Sequence, residues 1–169
     1  MPKTNSKTDP LPVDSPERRR LPILLRRAWY GLNQAFRRRI AHTGVTPDQF
    51  TAMRTLLEND QIGLNQSQLT RLMASDPNTI ASLVERMEKN GLIKRGAHEK
   101  DRRAYRLRLK PLGEKKYQEV REIALALQTE ILSALPEGRR ENFLEELAAV
   151  GNAGVAAAGR LPKSQTKRT

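Results

Sequence analysis

Asn78, Ser82, Arg86 and Lys89 fall three or four residues apart, so on a helix they share one side. Asn and Arg offer paired hydrogen-bonding groups that match the edges of adenine and guanine, Ser adds a short hydroxyl, and Arg and Lys reach phosphate. Glu85 shares that side and Thr79 flanks it. A second set follows at His98, Lys100, Arg102 and Arg103, where planar guanidinium groups suit a narrow, electronegative groove. This is chemistry for holding a polyanion. Chemistry for turnover is missing: there is no cysteine, the two imidazoles are His42 and His98, and no phosphate-cradling glycine loop, nucleophile elbow or metal-ligand cluster occurs. The sequence therefore predicts no enzyme, no cofactor and no metal. The competing view of both sets is an ordinary solvated surface.

Helix caps mark the elements that must position these residues. Thr46-Pro47-Asp48-Gln49 is a capping box with Pro at the first helical position, opening a helix whose apolar face is Phe50, Met53, Leu56 and Leu57. Asn65 and Gln68 repeat the box at the head of a short helix, which puts Gln66 and Ser67 in its exposed first turn. Asp76-Pro77 opens a third helix, with Ile80, Leu83, Val84 and Met87 inward and Asn90-Gly91 as its left-handed stop. Two capped helices a few residues apart make a helix-turn-helix. Beyond Gly91 the period changes from 3.6 to 2: Leu92 to Arg95 reads as a short strand, Gly96 to Asp101 as a polar loop, and Tyr105 to Lys110 as the return strand. In that return strand Arg106 and Arg108 face away from Tyr105, Leu107 and Leu109. The unit over 44–110 is thus a winged helix, a DNA-binding domain.

Long helices flank it. Leu21, Leu25, Ala28, Trp29, Leu32, Phe36 and Ile40 form one apolar stripe on a helix from Leu21 to Ile40. A helix from Leu112 to about Ala134 and another from Glu137 to Ala148 or beyond follow the wing; whether the Ala/Gly-rich stretch to Gly159 extends the last one is open. These stripes need apolar partners that 44–110 does not supply, so 18–43 and 111–158 read as dimerisation helices, and the protein as a homodimer. Residues 1–17 read as a disordered tail and 159–169 as a basic C-terminal tail.

The charge is distributed to match. Of 169 residues, 31 are Lys or Arg and 19 Asp or Glu, a net charge of +12. Residues 65–110 hold +6, 1–43 hold +7 and 152–169 hold +4, whereas 44–64 and 111–151 are acidic by 2 and 3. Segmental charge of this kind predicts a defined binding face. No apolar run approaches the ~18 residues of a membrane span, and no leader opens the chain, so a cytoplasmic, nucleoid-associated protein with no membrane partner is expected.

The stretch from Asp101 through Arg103 and Leu109 to Gly113 resembles the wing signature of the multiple-antibiotic-resistance regulator (MarR) family, and Leu83 to Ile93 is similar to that family's recognition-helix ending. Lys110 stands where the family has Thr, so the hydroxyl cap of the next helix is missing. The resemblance spans roughly residues 20–150 and implies a mainly α fold with a small β-wing, an obligate homodimer, and transcriptional control, usually repression relieved by a small ligand or oxidant. It implies double-stranded DNA as partner, with Gln66, Ser67, Asn78, Thr79, Ser82, Arg86, Lys89, Arg102, Arg103 and Arg106 as contacts. Asp101 would pair with a neighbouring Arg to shape the wing, or be only a screened surface pair. Without cysteine, thiol oxidation is excluded as the signal, which leaves a small organic effector or none. Arg26, Trp29, Tyr30 and Asn33 on the first helix would suit an aromatic carboxylate or its thioester; equally, Trp29 is core and Arg26 solvated. A basic RNA- or ribosome-associated protein is the alternative that explains the charge but leaves the wing signature unexplained.

Overall fold

The computed structural model describes residues 15, 20–59, 63–97 and 105–159. Helices α1 (Leu21–Ile40), α2 (Pro47–Glu58), α3 (Gln66–Leu72) and α4 (Pro77–Lys89) lead into strands β1 (Ile93–Ala97) and β2 (Tyr105–Leu109), then α5 (Pro111–Leu132) and α6 (Arg140–Ala158). Short 3-10 turns follow α1 at Ala41–Thr43 and precede α6 at Glu137–Arg139. The fold is mainly helical with a two-stranded antiparallel wing. Among the described residues, no helix is long and apolar enough to cross a membrane.

Local sequence explains the starts and stops. Thr46 and Gln49 exchange side-chain and backbone hydrogen bonds, as do Asn65 and Gln68, so both capping boxes form. Asp76 accepts from the amides of Asn78 and Thr79 at 3.0 and 2.9 Å. At the far end of α4, Gly91 takes a φ of +70°, a left-handed geometry that glycine adopts without a Cβ penalty. This turns the chain so that Leu92 N donates to Met87 O at 2.9 Å. Leu92 is therefore part of the helix stop and not of the strand: β1 starts at Ile93 and runs on to Ala97, because Gly96 and Ala97 find partners in Arg106 and Tyr105. At the C-terminal end, the Ala/Gly-rich stretch continues α6 to Ala158.

The core lies where α2, α3, α4 and the wing meet, with Met53, Leu69, Ile80, Leu83, Val84, Met87 and Ile93 fully or almost fully buried. Ile40 of α1 and Val120 of α5 dock onto it. Phe50 ties the layers together, edge-on to Phe36 of α1 (5.3 Å) and stacked on Tyr117 of α5 (5.4 Å). Arg39 of α1 makes a forked bond to Glu130 of α5 at 2.7 and 2.8 Å. Toward its N-terminus α1 leaves this core.

Lys110 caps α5 with no side-chain hydrogen bond, although its extended φ and ψ of −95° and 162° are those of a normal N-cap. Lys110→Thr is expected to stabilise the fold by about 1 kcal/mol, a rise of ~2–4 °C in Tm, because a hydroxyl there would accept from an amide of the first turn. An unchanged or lower Tm in a thermal melt would refute that cap.

Candidate nucleic-acid interface

At 100° per residue, the buried side of α4 is centred between Ile80, Leu83, Val84 and Met87. Directly opposite, Asn78, Ser82, Glu85 and Lys89 form a ridge about 60° wide, all four exposed. Thr79 and Arg86, also exposed, stand together on one flank of the ridge. The Thr79 hydroxyl and amide bond the Asp76 carboxyl and hold it below its usual value, so that part of the hydroxyl's capacity is committed to the cap. Ser67 is exposed and Gln66 half-buried in the first turn of α3.

The wing is fixed to α4 on one side and to the segment before α3 on the other. Arg95 of β1 donates to Glu88 of α4 at 2.9 Å, and Leu107 N donates to Leu64 O at 2.7 Å, adding a short bridge outside the hairpin. Arg106 turns toward this bridge and its Nη1 lies 3.5 Å from Gly63 O. It is half-buried, with its stem over the loop before α3, and so braces the wing as well as contributing charge. Lys94 and Arg108 are directly paired in the register and exposed. His98, Lys100, Asp101, Arg102 and Arg103 lie outside the described residues, as do the predicted tails except Ser15 and Gly159.

The MarR family model matches residues 45–105, from two residues before α2 to the first residue of β2. A Thauera aromatica protein, named as a transcriptional regulatory protein for the hcr operon, is 30% identical over 121 residues, 71% of this chain and 72% of that protein. The chain belongs to the MarR family. It is a DNA-binding transcriptional regulator of the winged helix-turn-helix type, with α4 in the place of the recognition helix. The fold is shared with S. aureus MepR in its DNA complex, at a TM-score of 0.73 and 20% identity over 80% of this chain and 99% of that one. It is also shared with Rhodococcus jostii CouR bound to p-coumaroyl-CoA, at a TM-score of 0.68 and 21% identity over 76% of this chain and 90% of that one.

In this MarR-family chain, a cavity of about 380 Å3 opens between α1, α2 and the turn joining α3 to α4. Trp29 and Asn33 line it, with Asp48, Thr51, Ser75 and Thr79 opposite. Arg26 and Tyr30 do not reach it. They line a more open recess on α1 with Leu25 and Trp29, so Trp29 is the wall common to both. The four α1 residues expected to act together are thus divided between two spaces, because α2 covers only one side of the helix. Sequence reasoning missed Asp48, Thr51 and Ser75, which reach the cavity from other elements, and the Glu88–Arg95 pair, whose partners lie on different elements.

Proposed function

We propose that two copies of this chain bind a pseudo-palindromic DNA site and repress transcription until a small organic ligand releases them. The ridge on α4, exposed opposite a fully buried face and braced against the wing by Arg95 and Glu88, carries this reading. Asn78 and Ser82 would meet base edges in the major groove. Gln66, Ser67, Thr79, Arg86, Lys89 and Arg106 would hold backbone on either side, and Arg102 and Arg103 would enter the adjacent minor groove. Asp101 would shape that tip.

Dimerisation is supported by apolar surface that the single chain leaves in water. Leu21, Leu25, Trp29 and Leu32 of α1 and Phe143, Leu147, Val150 and Val155 of α6 are all exposed, and α6 buries none of its residues. A second copy would cover this surface and set two readers about one helical turn of DNA apart.

The cavity would hold the ligand. A ring would stack on Trp29 while a carboxylate or thioester tail extends past it to Arg26 in the neighbouring recess; the p-coumaroyl-CoA bound to CouR is a molecule of that chemical class. Ala74 of the cavity wall sits in the left-handed region at φ +48°, a conformation that costs a residue with a Cβ of the order of 1 kcal/mol. Pressure there acts on the joint between α3 and α4, and so on the spacing of the two readers.

Anisotropy titrations against a selected palindromic duplex, a random duplex and a structured RNA test this reading. We expect the palindrome to bind about a thousandfold more tightly than random duplex and to be released by an aromatic acid or its thioester. Equal or tighter binding to the RNA would replace the reading with that of an RNA-binding protein.

A further inference from the structure

Glu85 stands in the middle of the α4 ridge, with Ser82 and Lys89 on either side, and is exposed. The other two carboxylates near the ridge are committed. Asp76 caps the helix and Glu88 holds Arg95 at 2.9 Å. Among the described residues, Glu85 makes no ion pair or hydrogen bond through its side chain. Lys89 is four residues on, a spacing that allows a helical ion pair, yet none forms.

A free carboxylate at the centre of a face meant for DNA works against affinity. It repels phosphate and releases no counterion, whereas a Lys, Arg or Gln in its place would bind more tightly to any sequence. The major-groove edges of guanine and thymine offer it acceptor atoms, and adenine sets an acceptor beside its amino donor. Cytosine alone presents a donor, its N4 amino group, with no acceptor beside it. A carboxylate here is therefore a discriminating group.

We propose that Glu85 is a specificity-determining residue: its carboxylate accepts a hydrogen bond from the cytosine N4 amino group at one base pair of each half-site, and its charge penalises binding elsewhere. This rests on α4 being the DNA reader. The proposal assigns Asn78 and Ser82 to neighbouring positions and gives the acidic residue, among basic ones, the task of rejecting wrong sites.

Selection from a randomised duplex library with the full chain, followed by affinity measurements on the enriched duplexes, tests it. Wild-type protein is expected to enrich a motif with an invariant cytosine, about 5- to 100-fold better than any other base there. Glu85→Gln should transfer that preference to adenine, whose N6 and N7 match an amide, and Glu85→Ala should flatten it to within about twofold, the rest of the motif being kept. Both variants should bind random duplex more tightly and melt as the wild type does. If both keep the wild-type motif and only gain affinity equally on every duplex, Glu85 is a repulsive charge with no reading role and the proposal falls. If the wild type enriches no motif at all, α4 is not a reader and the underlying assignment fails with it.

Discussion

Gly113→Ala is expected to lower Tm by about 10 °C, corresponding to a loss of ~3 kcal/mol. Gly113 is the third residue of α5, where helix propensity alone would favour Ala. Position reverses that preference. A Cβ there would collide with Leu92 O and stand 3.1 Å from Leu92 C and from Leu109 Cδ2. Leu109 could shift its side chain, but Leu92 could not move alone. Its carbonyl accepts Lys110 N at 2.9 Å and its amide closes the α4 stop on Met87. Making room means prising α5 from the junction of recognition helix and wing, so weaker DNA binding should accompany the lower Tm. Thermal and denaturant melts check this, and a Tm within about 2 °C of wild type would show that the seam opens without cost.

The same junction shows what a sequence makes legible. Capping boxes at Thr46 and Asn65, the Asp76 cap and the Gly91 stop are exchanges between residues two to five apart; their chemistry is local, and so is the pattern that reveals it. The extent of α4 follows from the same rules, and that of α1, which has no side-chain cap, from the period of its apolar stripe. Contacts between elements left no such trace. Nothing in the spacing of Arg106 shows that it leans on Gly63, 43 residues earlier in the chain, or that Glu88 and Arg95 hold the helix against the wing. The first helix makes the same point about the proposed ligand site. Periodicity places Arg26, Trp29, Tyr30 and Asn33 within two turns, but only the packing of α2 decides that Asn33 faces a cavity and Arg26 an open recess. Ser75 comes from a segment whose sequence advertises only a turn, and Thr79 from a helix start whose sequence points to DNA and not to a cavity.

That junction also bears on how a ligand signal would reach DNA. Thr79 lines the cavity and bonds the cap of the recognition helix, so one residue touches both the proposed effector space and the start of α4. Movement at Ser75 or Thr79 would tilt α4 about its buried face, because Ile80, Leu83 and Met87 are held in a packed core that resists translation. A tilt in each of two copies changes the distance between readers, and a DNA site of fixed spacing penalises that change.

Leu147→Asp is expected to convert the protein to a monomer and to weaken binding to a two-half-site duplex by about 100-fold or more. Phe143, Leu147 and Val150 recur at helical intervals on α6 and are 40, 41 and 38% exposed, yet none belongs to the core of the single chain. A carboxylate at Leu147 therefore costs the isolated fold little, while burying it unpaired between two copies would cost several kcal/mol. Binding would then rely on one reader at a time, and affinity for the full site should fall to that for a half-site, since tethering the second reader is what raises it. Light scattering for mass, circular dichroism for helix content and anisotropy on full and half sites separate the steps. A variant that keeps wild-type helix content and remains a dimer would move the interface off α6. One that becomes a monomer yet binds the full site as tightly as wild type would show that each α4 reads its half-site without help from the other.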